Sequence, residues 1–214
     1  MKIFPNGIKF TDNDYEWKSF YEGTIIQTKW KQWIARQVIE LVEKPESKAL
    51  IDIGCDSSPL GLMIGSKEYT GIDENEKKIE YMAQKHNNEN RIKYYCTGAC
   101  YLGQFSPNKF DVALMIEIIE HFHNYREAGR AISEAVRVTK PNGQIIIATP
   151  NFRSITGLMM DNVYDVMFPN AYAQDHNIRF GRESLSVLCA SEGLKLEKVK
   201  SLLGADMVCS FRKE

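Results

Sequence analysis

The chain has 214 residues, of which 27 are basic and 28 acidic. This length suffices for one sizeable core and is short for two ordinary enzyme domains, so we expect a single compact domain overall. The balanced charge provides no global field that would draw the chain to nucleic acid or to an anionic membrane. The 5 cysteines include no C-x-x-C pair, which argues against a disulfide framework or a zinc ribbon.

The N-terminal segment MKIFPNGIKF lacks the apolar core of a signal peptide. No stretch of the sequence approaches the length of a membrane span. Together with reduced thiols, these features predict a cytoplasmic protein that has no membrane partner.

Residues 1–44 are predicted to form an N-terminal helical cap. From Trp30 to Val42, apolar residues recur at intervals of three and four, the spacing of an amphipathic helix. Pro45 then ends the helix, because proline cannot continue it. A more aromatic segment, Tyr15 to Tyr21, precedes this helix. The main domain is expected to span residues 45–214.

Beyond Pro45, short apolar strands alternate with helical stretches. Such alternation predicts parallel strands that are joined by right-handed crossovers. The predicted strands are 49–53, 69–72, 92–95, 110–116 and 144–148. The turn signal Pro141 to Gly143 precedes the last of these strands. The helix before that turn carries a continuous apolar stripe from Ala128 to Val136.

The end of the chain breaks this alternation. A predicted helix from Arg182 to Ser191 is followed by two strand-like runs, 194–203 and 206–212, with only two residues between them. So short a connection cannot cross over, so the last two strands must be antiparallel neighbours. The sequence therefore predicts an α/β fold, a mostly parallel seven-stranded sheet with helices on both faces, an antiparallel last strand and the N-terminal helical cap.

Two neighbouring strand ends carry the residues of a nucleoside site. The first apolar run ends in Asp52 and Gly54, and the second ends in Asp73. A tight turn after the first strand and a carboxylate after the second are the features that hold a nucleoside-bearing cofactor over an open sheet. The Asp73 carboxylate can accept two hydroxyl hydrogen bonds. Its alternative role is the N-cap of the following helix.

These motifs, in this order, resemble the class I S-adenosylmethionine-dependent methyltransferases over residues 45–212. The resemblance implies that S-adenosylmethionine is the cofactor and that Asp73 binds its ribose hydroxyls. It also implies that the segment IEIIEHF, which begins at Ile116, passes the methionine end of the cofactor. The residues that it places in the cofactor turn are Asp52, Gly54, Cys55 and Asp56.

Two departures from the family pattern bear on cofactor binding. The turn is usually G-x-G-x-G, whereas Asp56 and Ser58 stand where the later glycines are expected. The family also commonly carries an acid after the third strand for the adenine amino group, and residues 96–100 contain none. A catalytically silent member that binds the cofactor or a protein partner is therefore an alternative.

Carboxylates and imidazoles follow the fourth and fifth strands. Glu117, Glu120 and His121 lie just beyond the fourth strand, at the edge where ligands bind in open sheets. Methyl transfer needs alignment, and it needs a base when the nucleophile is a hydroxyl. The ordinary pKa of histidine lies nearest neutrality, so His121 or His176 is the expected base. Glu117 completes the predicted catalytic set.

The same four side chains resemble the metal cluster of small-RNA 3′-end 2′-O-methyltransferases, in which two carboxylates and two imidazoles hold a divalent ion. The pattern E-x-x-E-H also occurs in small-molecule methyltransferases, so we favour a metal-free site and assign no metal ligand. The expected reaction is methyl transfer to a hydroxyl, or less favourably an amine, of a small-molecule acceptor. Metal-dependent methylation of RNA is the rival reaction.

The long segment 151–175 is rich in leucine, methionine and aromatic residues. A connection this long predicts a lid or a substrate wall. The alternative is a short helix packed on the sheet edge. Together with the aromatic residues of the cap, this segment is expected to roof the cofactor's methyl group. Those cap residues are Trp17, Phe20, Tyr21 and Trp30.

Overall fold

The structure, a computed structural model, describes residues 13–159 and 176–214. Its helices are α1 Tyr15–Glu22, α2 Ile25–Leu41, α3 Leu60–Met63, α4 Glu76–Lys85, α5 Tyr125–Val138 and α6 Arg182–Ser191, with 3-10 turns at Pro45–Ser47 and Ile119–His121. Its strands are β1 Ala49–Ile53, β2 Glu68–Asp73, β3 Ile92–Cys96, β4 Phe110–Ile116, β5 Thr139–Pro150, β6 Leu194–Leu202 and β7 Asp206–Lys213. No helix in the described part of the chain combines the length and the apolar character that crossing a bilayer demands.

The strands form one seven-stranded sheet in the order β3-β2-β1-β4-β5-β7-β6. The first five strands pair in parallel, and β7 runs antiparallel to both β5 and β6. The predicted fold is confirmed. From β1 the chain winds outwards to β2 and β3, then returns to place β4 on the other side of β1. The order reverses there, which opens a crevice at the carboxyl ends of β1 and β4.

Helices cover both faces of the sheet. On one face, Ala131 of α5 and Leu185 of α6 pack in the same buried cluster as Met115 of β4. On the other face, Val38 of α2 packs in a cluster with Leu114 of the same strand. Adjacent strand residues thus point to opposite layers, as the pleat requires. Since α2 itself covers the sheet, the division of the chain at residue 44 stays a prediction.

Two elements differ from their predicted bounds. Helix α2 begins at Ile25 rather than Trp30, because the Thr24 hydroxyl oxygen accepts a hydrogen bond from the Gln27 N–H at 3.3 Å and caps the helix. Strand β5 begins at Thr139 instead of Gln144. The predicted turn lies inside this strand as an irregularity, between the pairing of Thr139 with Phe110 and the pairing of Gln144 with Val112.

Candidate functional site

A cavity of about 570 Å³ lies at the carboxyl ends of β1, β2 and β4. Its size is that of a small-molecule site. Strand ends form its floor, and the cap helices α1 and α2 form its roof. The residues predicted to bind the cofactor or to act in catalysis all line this one cavity: Asp52, Gly54, Cys55, Asp56, Asp73, Ile116, Glu117, His121 and His176. Their individual roles remain predictions.

The cofactor turn depends on glycine at its first position. Gly54 has a φ of 75°, which favours glycine, and a Cβ built there would lie 2.3 Å from Cδ1 of Ile118. The N–H groups of Gly54 and Cys55 both donate to the Ile72 carbonyl oxygen, at 2.8 and 2.9 Å. Burial raises the pKa of the Cys55 thiol well above its ordinary value, so this thiol is protonated and is not a nucleophile.

Asp52 lies beneath the turn and is buried. Its Oδ2 accepts a hydrogen bond of 2.7 Å from the Tyr69 hydroxyl. Burial raises the pKa of Asp52 to about 7, against the opposing effect of that hydrogen bond. The carboxyl group is therefore close to half-protonated at neutral pH, and it faces the cavity as both a donor and an acceptor.

Asp73 does not cap the following helix. The N-cap of α4 is Asn75, whose Oδ1 accepts a hydrogen bond from the Lys78 N–H at 3.4 Å. The two Asp73 oxygens accept from the backbone N–H groups of Asp56 and Asn75, at 3.0 and 2.9 Å. These contacts orient the carboxylate towards the cavity, and each oxygen keeps a further lone pair for a hydroxyl group.

Glu117 follows β4 in a left-handed conformation, with a φ of 52°. Its N–H donates to the Ala148 carbonyl oxygen at 2.9 Å, and its Oε2 accepts from Lys31 Nζ of the cap at 2.9 Å. Burial would raise the pKa of Glu117, but the Lys31 ammonium holds it below its ordinary value. Glu117 is therefore an ionised carboxylate whose negative charge is balanced by Lys31 of the cap.

Glu120, His121 and His176 converge on the same wall. One ligand atom from each lies within 4.8 Å of the others, and the two imidazole centroids are 5.0 Å apart. Burial raises the pKa of Glu120 to about 8, and its Oε2 accepts a hydrogen bond of 3.0 Å from the Thr149 hydroxyl. Two imidazoles and a carboxylate are suitable ligands for a divalent ion. Glu117, the fourth residue of the metal hypothesis, lies outside this group.

The polar cavity residues that sequence reasoning missed include Glu16, Lys31 and Asp206. Glu16 and Lys31 come from the cap, where Lys31 Nζ donates to Glu16 Oε1 at 2.9 Å. Asp206, the first residue of β7, is only 2% exposed, and its Oδ2 is without a hydrogen-bond partner among the described residues. Burial raises its pKa. Only the position of Asp206 after a short turn at the start of a strand could have pointed to it.

Only some of the aromatic residues predicted to form the roof line the cavity. Phe20 and Trp30 line the cavity, whereas the Trp17 ring packs under Lys85 Nζ, 3.8 Å from the ring centroid. Gly157 brings the beginning of the segment 151–175 to the cavity. Residues 160–175, which hold most of the predicted lid, lie outside the described residues.

A family model described as a methyltransferase domain matches residues 51–147. This stretch carries the cofactor turn, Asp73 and the end of β4. Residues 51–147 therefore form a methyltransferase domain, as the sequence predicted. Its cofactor is S-adenosylmethionine, and the glycine-dependent turn and the oriented Asp73 carboxylate fit that nucleoside.

Two relatives and one solved structure show the range of this likeness. Ubiquinone biosynthesis O-methyltransferase of Dechloromonas aromatica is 26% identical over 147 residues, which make up 67% of this chain and 58% of that protein. The tRNA U34 carboxymethyltransferase of Helicobacter pylori is 24% identical over 188 residues, 83% of this chain and 68% of that protein. The N-methyltransferase NodS of Bradyrhizobium japonicum, solved with S-adenosylhomocysteine, is 15% identical with a TM-score of 0.69, covering 100% of this chain and 99% of that chain. The structural likeness shows a shared fold alone.

We expect Asp73→Ala to weaken the binding of S-adenosylhomocysteine by about 1.5–3 kcal/mol, because hydrogen bonds to a charged group are lost. Asn124→Ala removes the N-cap of α5 at a position that does not line the cavity, and it serves as the control. It should lower the free energy of unfolding by about 1 kcal/mol and leave the affinity within about twofold. Isothermal calorimetry and urea unfolding measure the two effects. Equal affinity for Asp73→Ala and wild type would contradict the ribose role.

Glu120→Gln should alter how stability depends on pH. The pKa of folded Glu120 is about 8, against an ordinary value of 4.5. Between these values the unfolded chain releases the proton while the folded chain holds it, so wild type loses stability as pH rises. The glutamine variant has no such proton, and its advantage over wild type should grow by on the order of 3 kcal/mol from pH 5 to pH 8.

Urea unfolding of both proteins in chelator-treated buffer at the two pH values measures this difference. Titrating groups that do not interact with Glu120, such as Asp52, contribute equally in both proteins, so their effects cancel, whereas Glu117 and Asp206 interact with it. An advantage that is the same at both pH values would show that Glu120 is ionised in the fold.

Proposed function

We propose that this protein transfers the methyl group of S-adenosylmethionine to a hydroxyl group of a small molecule, with His121 or His176 as the general base. The observation that carries this proposal is the pair of imidazoles, 5.0 Å apart, that lines the same cavity as the cofactor turn. A hydroxyl acceptor requires a base beside the cofactor, whereas a more basic amine does not.

S-adenosylmethionine supplies an electrophilic methyl carbon on its sulfonium. Asp73 would hold the ribose, and Gly54 would let the backbone approach the cofactor closely, while His121 and His176 line another part of the same cavity. One of these imidazoles accepts the acceptor's hydroxyl proton as the oxygen attacks. The remaining task of the protein is alignment of the oxygen with the carbon–sulfur bond.

The ion pair of Glu117 and Lys31 would sit beside the methionine end of the cofactor. Glu117 retains its negative charge through Lys31, so it can accept hydrogen bonds from the methionine amino group. The left-handed backbone of Glu117 costs energy for a residue with a side chain. Such outliers cluster at functional sites, which supports a role for Glu117 in cofactor placement.

The acid that the family commonly carries after the third strand is missing here, and in our proposal Glu74 takes its place. Glu74 and Thr97 both line the cavity at its β2 and β3 end. A Cβ built on Gly98 would lie 3.9 Å from Oε2 of Glu74, so this carboxylate reaches the position where residues 96–100 offer none. We assign it to the adenine amino group, which argues for a functional cofactor site over a silent one.

The relatives that are named O-methyltransferases support a hydroxyl acceptor. The curated relative from Dechloromonas aromatica is named an O-methyltransferase of ubiquinone biosynthesis, and we extend oxygen methylation to this chain. The near-balanced charge favours a small-molecule acceptor over nucleic acid, because neutralising phosphates needs clustered lysine and arginine.

Metal-dependent methylation of RNA is the second candidate, and the convergence of Glu120, His121 and His176 favours it. The state of Glu120 argues the other way. Burial keeps its proton on at neutral pH, and a metal ligand must give that proton up. A divalent ion would have to supply the free energy of removing this proton. It would do so with three protein ligands, since Glu117 is paired with Lys31.

The test is methyl transfer to a panel of small phenols and alcohols with and without chelator. We expect turnover to survive chelator and to fall by about 10²–10⁴-fold in whichever of His121→Ala or His176→Ala removes the base. Affinity for S-adenosylhomocysteine should stay within about threefold. His123→Ala changes a more exposed imidazole at the edge of the same cavity and is the matched control. If chelator abolishes turnover and Mn²⁺ restores it, the metal-free mechanism is wrong and RNA 3′ ends become the acceptors to test.

A further inference from the structure

The cofactor turn contains a charged residue at a glycine-like position. Asp56 has a φ of 46°, the left-handed region that glycine adopts without cost and aspartate adopts more readily than most residues. Its carboxylate lies at the cavity, yet the side chain is only 15% exposed. It folds back on the turn, where Oδ1 accepts a hydrogen bond of 3.0 Å from the Ser57 hydroxyl.

The other oxygen of Asp56 is held by a buried lysine. Lys78 Nζ of helix α4 donates to Asp56 Oδ2, and the lysine side chain is 7% exposed. Lysine is almost never buried to this degree unless it is paired. Its ammonium therefore lies inside the cofactor end of the protein, next to the turn, instead of in solvent.

This pair sits in a group of acids. Asp52 and Asp73 flank Asp56. Burial raises the pKa of Asp73, the charge of Asp56 raises it further, and the Lys78 ammonium lowers it. The cofactor brings a further carboxylate on its methionine end and has to approach the backbone of this turn closely. An Asp56 side chain that pointed into the cavity would fill that approach and repel the cofactor's carboxylate.

We propose that Lys78 is a positioning residue for the cofactor, because it draws the Asp56 side chain back against α4 and so clears a turn that lacks its usual glycine. The ion pair takes the place of the missing glycine at position 56. The same pair engages the Lys78 ammonium, which leaves the Asp73 oxygens available to the ribose.

Each single substitution then impairs the site in its own way, and the double substitution repairs it. Lys78→Met releases an anionic side chain into the cavity. Asp56→Gly leaves the Lys78 ammonium beside Asp73, where it competes with the ribose hydroxyls. Asp56→Gly with Lys78→Met leaves a neutral turn with glycine at position 56.

The experiment is calorimetric titration of wild type and these three variants with S-adenosylhomocysteine. Each single variant should bind about 10- to 100-fold more weakly than wild type, and the double variant should bind within about threefold of wild type, the signature of two coupled residues. Lys77→Met removes the same charge from an exposed position of the same helical turn. This control should bind like wild type.

Thermal unfolding of every variant separates positioning from stability. If Lys78→Met does not fold, Asp56→Asn with and without Lys78→Met gives the same comparison on a side chain of the same shape. The proposal is overturned if the double variant binds as weakly as the weaker single variant, or if the single variants lower the Tm and leave the affinity unchanged.

The inference rests on S-adenosylmethionine being the ligand of this turn, so the wild-type titration decides that first. A wild-type protein that releases no heat overturns the cofactor assignment and this proposal together. Tight wild-type binding with independent effects of the two substitutions overturns the positioning role alone.

Discussion

One half-buried ammonium, that of Lys31, connects the cap to the carboxyl edge of the sheet. Lys31 Nζ lies 2.9 Å from both Glu16 Oε1 and Glu117 Oε2, so one cation serves two carboxylates in a place with little solvent. Burial raises the pKa of Glu16, whereas the Lys31 ammonium holds the pKa of Glu117 below its ordinary value. A second contact, from the Glu16 N–H to the Ser57 hydroxyl oxygen at 3.1 Å, brings α1 onto the cofactor turn. Buried ion pairs contribute little net stability but can fix geometry, and here they give the cavity its roof.

Much of the fold could be predicted because its rules are local and periodic. Strands alternate with helices, so the strands had to be parallel, and the two-residue connection before β7 had to reverse the chain. The site followed from the fold, because the carboxyl ends of parallel strands meet at one edge. For this reason Gly54, Asp73 and Glu117 could be expected in one cavity although each follows a different strand.

Contacts between distant elements could not be predicted. Nothing in the spacing of the cap residues says that Lys31 points to β4, because helical periodicity identifies an apolar face and leaves the docking of its polar side chains open. The N-cap of α4 was ambiguous for another reason, since Asp73 and Asn75 are both good capping residues and only the backbone conformation selects Asn75. The grouping of Glu120 with both histidines, and without Glu117, depends on the left-handed backbone at Glu117. No sequence pattern here required that conformation.

The contact between Ile118 and Gly54 has a consequence for how such a site can diversify. Because the loop after β4 rests directly on the backbone of the turn after β1, the two act as one mechanical unit, and a substitution in this loop that reshapes the acceptor side also displaces the turn. We expect changes of acceptor to be least costly where the end of β5 and the start of β7 line the cavity through Pro150 and Asp206. These residues belong to the antiparallel part of the sheet, so donor recognition and acceptor choice would be divided between the two kinds of strand pairing in one domain.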